Sequence, residues 1–119
     1  MTSAPVSPGA RVSAAKPVGL SAELSGLLAT ELPAAIELRH DLHRHAELSG
    51  AEARTAATVT AALGAPDAAE VAGTGRLIRI GPTAGPAIAI RAELDALPIA
   101  EETGAPWSSV TGAMHACGH

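Results

Sequence analysis

The sequence is 119 residues long, enough for one ordinary domain and too short for two with separate cores. Apolar residues make up 47% of it and charged residues 17%, a balance that excludes wholesale disorder. Its net charge is −4, with eight Lys and Arg scattered singly, which excludes the basic footprint of a nucleic-acid binder or of a protein held on an anionic membrane; small molecules or proteins are the expected partners.

Residues 1–19 are rich in Ser, Ala, Pro and Gly, with prolines at 5, 8 and 17, and are expected to be a disordered leader without the apolar core of a secretory signal. From Ser21, a suitable N-cap, Leu24, Leu27, Leu28, Leu32, Ala35, Ile36 and Leu42 recur at helical spacing, predicting a helix with one buried face to about His45. Pro33 lies inside it and predicts a kink or a break near residues 30–32. Ser49 and Glu52 have the spacing of a capping box, and the Ala-rich segment behind them predicts a second helix ending at Gly64, before Pro66. Strands are expected at 70–72, 76–80 and 87–94, where Ile88, Ile90, Ala92 and Leu94 alternate with the other face. The GPTAGP link at 81–86 has hairpin length and predicts antiparallel pairing of the last two strands. The fold class is therefore α/β, with two helices followed by strands.

With no Phe or Tyr and Trp107 as the sole large aromatic, the core must come from Ala, Leu, Val and Ile and should be thin. Cys117 is the single cysteine, so no internal disulfide forms, and a reducing compartment is the default. With no run of about 18 apolar residues to span a bilayer, a soluble cytoplasmic protein is expected.

The last quarter of the chain loses periodicity and gains Pro, Gly, Ser and ionisable groups, the composition of loops that carry function. Cys117 and His119 flank one glycine, so a thiolate and an imidazole can converge on one cation; two donors do not complete a site, and a buried thiol beside an unrelated histidine is the other reading. His115 is a further nearby donor or a loop histidine bonded to backbone. Asp95 stands where the third strand stops, either a site residue at a strand end or a turn aspartate. Arg91 and Glu93 share a strand face and read as a solvated or ion-paired surface. Glu101 and Glu102, adjacent in a Gly/Pro loop, read as solvated. His40, His43 and His45 lie at the end of the first helix, where the dipole favours them, and read as structural. There is no Gly-x-Ser-x-Gly, and GTGR at 73–76 lacks phosphate-loop spacing, so serine hydrolases and nucleotide binders are unsupported.

Four blocks, LHRHAELSGAEARTA at 42–56, GTGR, IAIRAELDALPIAEETGAPWSS at 88–109 and GAMHACGH at 112–119, together resemble the N-terminal third of the metal-dependent amidohydrolases: aminoacylases, hippurate hydrolases and hydrolases of indole-acetyl amino acids. The resemblance runs from about residue 20 to the last residue. It implies the first part of a zinc-peptidase-like catalytic domain, with two helices and the strands of a mixed sheet over 20–119. It also implies hydrolysis of the amide bond of N-acyl amino acids at a centre of two divalent cations, Zn, Mn or Co. Cys117 and His119 look like two of the ligands and Asp95 like the acid close to the metals. The family's remaining ligands and its Glu-Glu base follow the Cys-Gly-His block, as does a lid and dimerisation domain, so a truncated, inactive chain is expected. The alternative is a non-catalytic remnant that binds metal weakly or associates with a complete homologue. Ala46 stands where the family usually has proline.

Overall fold

The computed structural model describes residues 20–118, with Leu20 described in its backbone alone; the expected leader over 1–19 and the expected ligand His119 lie outside the described residues. Helix α1 (Leu20–Arg44) runs unbroken through Pro33, so the predicted break does not occur. One lost N–H is a local defect in 25 helical residues rich in the strong helix formers Leu, Ala and Glu. The chain nevertheless divides into two compact units between Pro33 and Ala34. The face expected to be buried is not: Leu24, Leu27, Leu28 and Leu32 are 49–64% exposed. Spacing specifies a face, but a partner is needed to bury it.

Helix α2 (Ala53–Ala62) forms where expected, with a different N-terminus. Ser49 is exposed, and the N-cap residue, Glu52, makes no side-chain cap bond. Glu47 does the work of the predicted capping box. Its carboxylate accepts the N–H groups of Arg54 at 3.2 Å and Thr55 at 2.7 Å, putting negative charge on the positive end of the helix. This reach is possible because the chain doubles back at Gly50 (φ 81°), where the Ala51 N–H donates to the Leu48 carbonyl. Glu52 instead turns inward, 6% exposed, and accepts the Thr74 hydroxyl. At the other end the Gly64 N–H bonds the Ala61 carbonyl and the Ala65 N–H the Thr60 carbonyl, with Gly64 at φ 65°. That is a Schellman ending, which satisfies the orphan carbonyls.

Strands β1 (Ala69–Val71) and β2 (Gly75–Leu77) form an antiparallel pair with Glu70 opposite Arg76, joined by an ion pair of 3.1 Å. Gly75 faces Val71, where a Cβ would stand 2.6 Å from the Val71 carbonyl oxygen, so only glycine fits without a shift. This pairing replaces the hairpin expected between 76–80 and 87–94. The three-residue link 72–74 closes at lower entropic cost than one through 81–86. Residues 81–86 are occupied otherwise: the Arg79 guanidinium donates to the carbonyls of Pro82 and Thr83. The segment 87–94 carries no strand, and Ile88 and Ile90 are 95% and 96% exposed. Alternation marks two faces of a strand, but a ladder also needs a neighbour.

The apolar core is as thin as composition predicts. Its cluster is Ala46, Ala96 and Ala113, each at most 4% exposed, drawn from three separated stretches. Single parallel and antiparallel bridges, Leu48 to Ala96 and Leu97 to Met114, hold those stretches together. Among the described residues, no helix is long and apolar enough to cross a membrane.

Candidate functional site

A helix ends with carbonyls that have no helical partner. Beyond the end of α1 such carbonyls serve as anchors for two distant loops. The Val110 N–H donates to the Arg44 carbonyl at 3.0 Å, the Thr111 hydroxyl to the Ala46 carbonyl at 2.7 Å and the Ala96 N–H to the Glu47 carbonyl at 2.8 Å. The Arg44 guanidinium donates to the Pro106 carbonyl at 2.7 Å, and the His40 ring stacks on Trp107 with centroids 3.9 Å apart. Leu97 and Met114 exchange two N–H···O bonds of 2.9 Å. Asp95 and His115, each next to a bridged residue, are thereby brought to the helix turn that carries His43.

Glu101 corrects the expectation that both glutamates of the pair are solvated. Glu102 is exposed, but the Glu101 side chain is 2% exposed. Its carboxylate accepts the Ser109 N–H at 2.6 Å, the Thr103 hydroxyl and, at 2.9 Å, the Nε2–H of His43. The Ser109 N–H, the Thr103 hydroxyl and His43 hold this carboxyl below its ordinary range against the opposing effect of burial. A loop glutamate thus becomes the hub of the loop, because three donors converge on it.

The His115 ring lies 6.2 Å from that of His43, tilted by 44°. Its Nε2 is buried and has no hydrogen-bond partner among the described residues. Burial, and then His43, push the imidazole below its ordinary pKa, while the backbone and the charge of Asp95 act in the other direction. Asp95 is half-buried beside it. Of the residues singled out from sequence, Asp95 and His115 therefore come together. His43 joins them through Glu101, a pairing across 58 positions that no local spacing signals, although both lie within the blocks that carry the resemblance.

The structural reading of His45 and the ion-paired reading of Arg91 and Glu93 hold, although no strand carries the pair. His45 Nδ1 sits 2.9 Å from the Asp41 carbonyl oxygen and 3.1 Å from its carboxylate, a structural role. Asp41 in turn accepts both a 2.7 Å and a 3.0 Å bond from Arg54, the main cause of its lowered pKa. Arg91 and Glu93 form an ion pair of 2.6 Å with the arginine 83% exposed. A shallow depression lined by residues 64–69 and 77–79 includes none of the site residues.

Cys117 is a free, exposed thiol. Among the described residues, no group of three or more His, Cys, Asp or Glu side chains is placed to hold a metal ion. The described residues by themselves do not make a metal site, since a closed or catalytic centre needs at least three protein donors.

Comparison with known proteins finds relatives of the sequence. The chain is 45% identical over 107 residues to a Rhodococcus jostii (strain RHA1) protein named as glutamate–cysteine ligase 2-3, covering 85% of this chain and 14% of that one. It is 45% identical over 89 residues to the Bacillus subtilis (strain 168) protein named as amidohydrolase YhaA, covering 71% of this chain and 22% of that one. To the N-acetylcysteine deacetylase of the same organism it is 45% identical over 91 residues, 71% of this chain and 24% of that enzyme. The chain spans about a quarter or less of the length of these curated relatives. No family model matches it, and no solved structure matches it. Over most of its residues, this chain is homologous to the amidohydrolases and deacetylases.

Proposed function

We propose that this chain contributes part of the site of a metal-dependent hydrolase acting on the amide bond of N-acyl amino acids. What supports the reading is that a chain homologous to an amidohydrolase and an N-acetylcysteine deacetylase gathers Asp95 and His115 at one end of α1, immediately ahead of Cys117. The ligase name describes a protein of which the matched stretch is 14%, and the chain carries no phosphate loop to bind a nucleotide.

In this reading Cys117 and His119 are donors to a pair of divalent cations, Zn, Mn or Co. Such ions, when bound, supply Lewis-acid polarisation of the amide carbonyl. Asp95 is the acid beside them, and His115 holds its position next to Asp95 from within the MHACGH block. The thin alanine core lies beside Asp95 and His115 and ties their segments to the end of α1. The substrate is a small molecule, and the isolated chain is expected to be inactive, since the two donors Cys117 and His119 fall short of the three that a catalytic centre needs.

A chimera tests this. Residues 20–119 replace the matched stretch of the B. subtilis N-acetylcysteine deacetylase, and hydrolysis of N-acetyl-L-cysteine is followed with added Zn, Mn or Co. The expected result is release of free cysteine by the chimera, its loss on Cys117→Ala, and no release by the isolated chain. A folded chimera without activity overturns the reading.

The exposed segment 87–94 favours a second one, a non-catalytic chain that associates with a complete homologue by offering Ile88 and Ile90 for strand pairing. Native mass spectrometry of the chain mixed with the B. subtilis deacetylase should then show a heteromer, lost in an Ile88→Lys, Ile90→Lys variant. No heteromer removes this alternative.

A further inference from the structure

Residues 101–109 carry neither helix nor strand, and side chains tie them to the end of α1. Glu101 does most of this. Its Oε2 accepts the Ser109 N–H at 2.6 Å and the His43 Nε2–H at 2.9 Å, and its Oε1 accepts the Thr103 hydroxyl. One carboxylate, 2% exposed, thus joins the two ends of the loop to each other and to the helix. Arg44 holds the Pro106 carbonyl at 2.7 Å, and Trp107 stacks on His40. Val110 and Thr111 are anchored separately, on the Arg44 and Ala46 carbonyls, and so supply a hinge. No residue from 101 to 110 is buried as a whole, so opening this loop surrenders little apolar burial. Segments of that kind open at lower free energy than a core does.

We infer that Glu101 is an acid-released clasp: on taking up a proton it frees residues 101–109 from α1 while both helices and the alanine cluster stay folded. The clasp operates whatever reaction the chain serves. A proton on Oε2 meets the hydrogens of Ser109 and His43 head on, and a proton on Oε1 leaves Oε2 an uncharged acceptor. Bonds to an uncharged acceptor are about half as strong as those to a carboxylate. The imidazole donates its Nε2–H when charged and also in the matching neutral tautomer, so the carboxyl decides the bond. On α1 the groups around it are His43, His40 and Arg44, while Asp41 and His45 are engaged with each other and with Arg54. Beyond the His43 ring lies His115, with Asp95 beside it, and Glu102 follows in the loop, exposed. The Ser109 N–H, then Thr103 and His43, hold the Glu101 carboxyl below its ordinary 4.5. The closed loop is therefore favoured in full above that value and loses this advantage as the pH falls through the lowered one.

Trp107, the single tryptophan, reports the loop, and far-ultraviolet circular dichroism reports the helices. On acidifying the full 119-residue chain, Trp107 emission should shift to the red and acrylamide should quench it more, at a pH where the helical signal is still intact. Glu101→Gln has no proton to take up there and should lose this separate transition. His43→Ala removes a donor that lowers the Glu101 pKa and should move the tryptophan transition to higher pH, with the helical one in place. Glu102→Gln should leave both where they are. A single transition shared by both signals in the parent overturns the inference, as does a separate tryptophan transition that survives in Glu101→Gln. Should Glu101→Gln lack helical signal at neutral pH, His43→Ala decides: an unmoved tryptophan transition overturns the clasp.

Discussion

Replacing Ala96 with leucine is expected to destabilise the protein by about 1–3 kcal/mol, the usual cost of forcing extra carbons into a filled interior. Ala96 is 4% exposed and shares its cluster with Ala46 and Ala113, so the added atoms have no void to enter. Its N–H is also bonded to the Glu47 carbonyl at 2.8 Å, and it forms the bridge to Leu48, so the backbone cannot move away without breaking the register beside Asp95. A domain is stable by only about 5–15 kcal/mol, and this one draws on a small-residue core, so the loss should be visible as a lower urea midpoint at unchanged slope. Ile88→Ala removes a larger side chain from a position 95% exposed and should move the midpoint by no more than about 0.5 kcal/mol equivalent. Equal effects of the two substitutions would mean that the alanine cluster is not the core.

Acid should unfold the protein through a small set of carboxylates. Asp41, Glu47, Glu52 and Glu101 all have pKa values below their ordinary ones. For Asp41 the chief cause is Arg54, and for Glu52 the Thr74 hydroxyl. At Glu47 burial raises the pKa but is outweighed by the N–H groups of Thr55 and Arg54. For Glu101 the chief cause is the Ser109 N–H. A carboxyl whose folded pKa is lowered stabilises the folded state in full above its unfolded value, 3.8 for Asp and 4.5 for Glu. That contribution disappears as the pH falls through the lowered folded value, because the unfolded chain then binds more protons. Stability followed by circular dichroism should therefore fall steeply below about pH 4.5 from these groups. Glu47→Gln should shallow this acid limb, since its cap of α2 no longer titrates. An acid limb of unchanged slope in that variant would show that Glu47 carries no linked proton.

Much of the local structure was legible. The position of α2 followed from its Ala-rich composition and Gly64, and the first helix from the spacing of its leucines, because both signals act within a few residues. The Asp95 and MHACGH segments stood out through their loop composition and their resemblance to amidohydrolase blocks. The identity of the α2 cap was not, since Glu47 reaches its N–H groups only after the chain reverses at Gly50. Glu101 was misread as solvated for a related reason: its exposure depends on Ser109, Thr103 and His43, and a glutamate beside another in a Gly/Pro loop carries no trace of them. The 76–80 and 87–94 pairing failed because alternation predicts strand character without naming a neighbour.

The amino-acid sequence by itself determined the helix-forming segments, the thinness of the interior and the homology to amidohydrolases, since each follows from residue type and order. Tertiary structure alone decided which groups meet at the end of α1 and which apolar residues stay in water. Burial and charge pairing are properties of the neighbours a folded chain supplies, and those neighbours are set by contacts across tens of residues rather than by local preference.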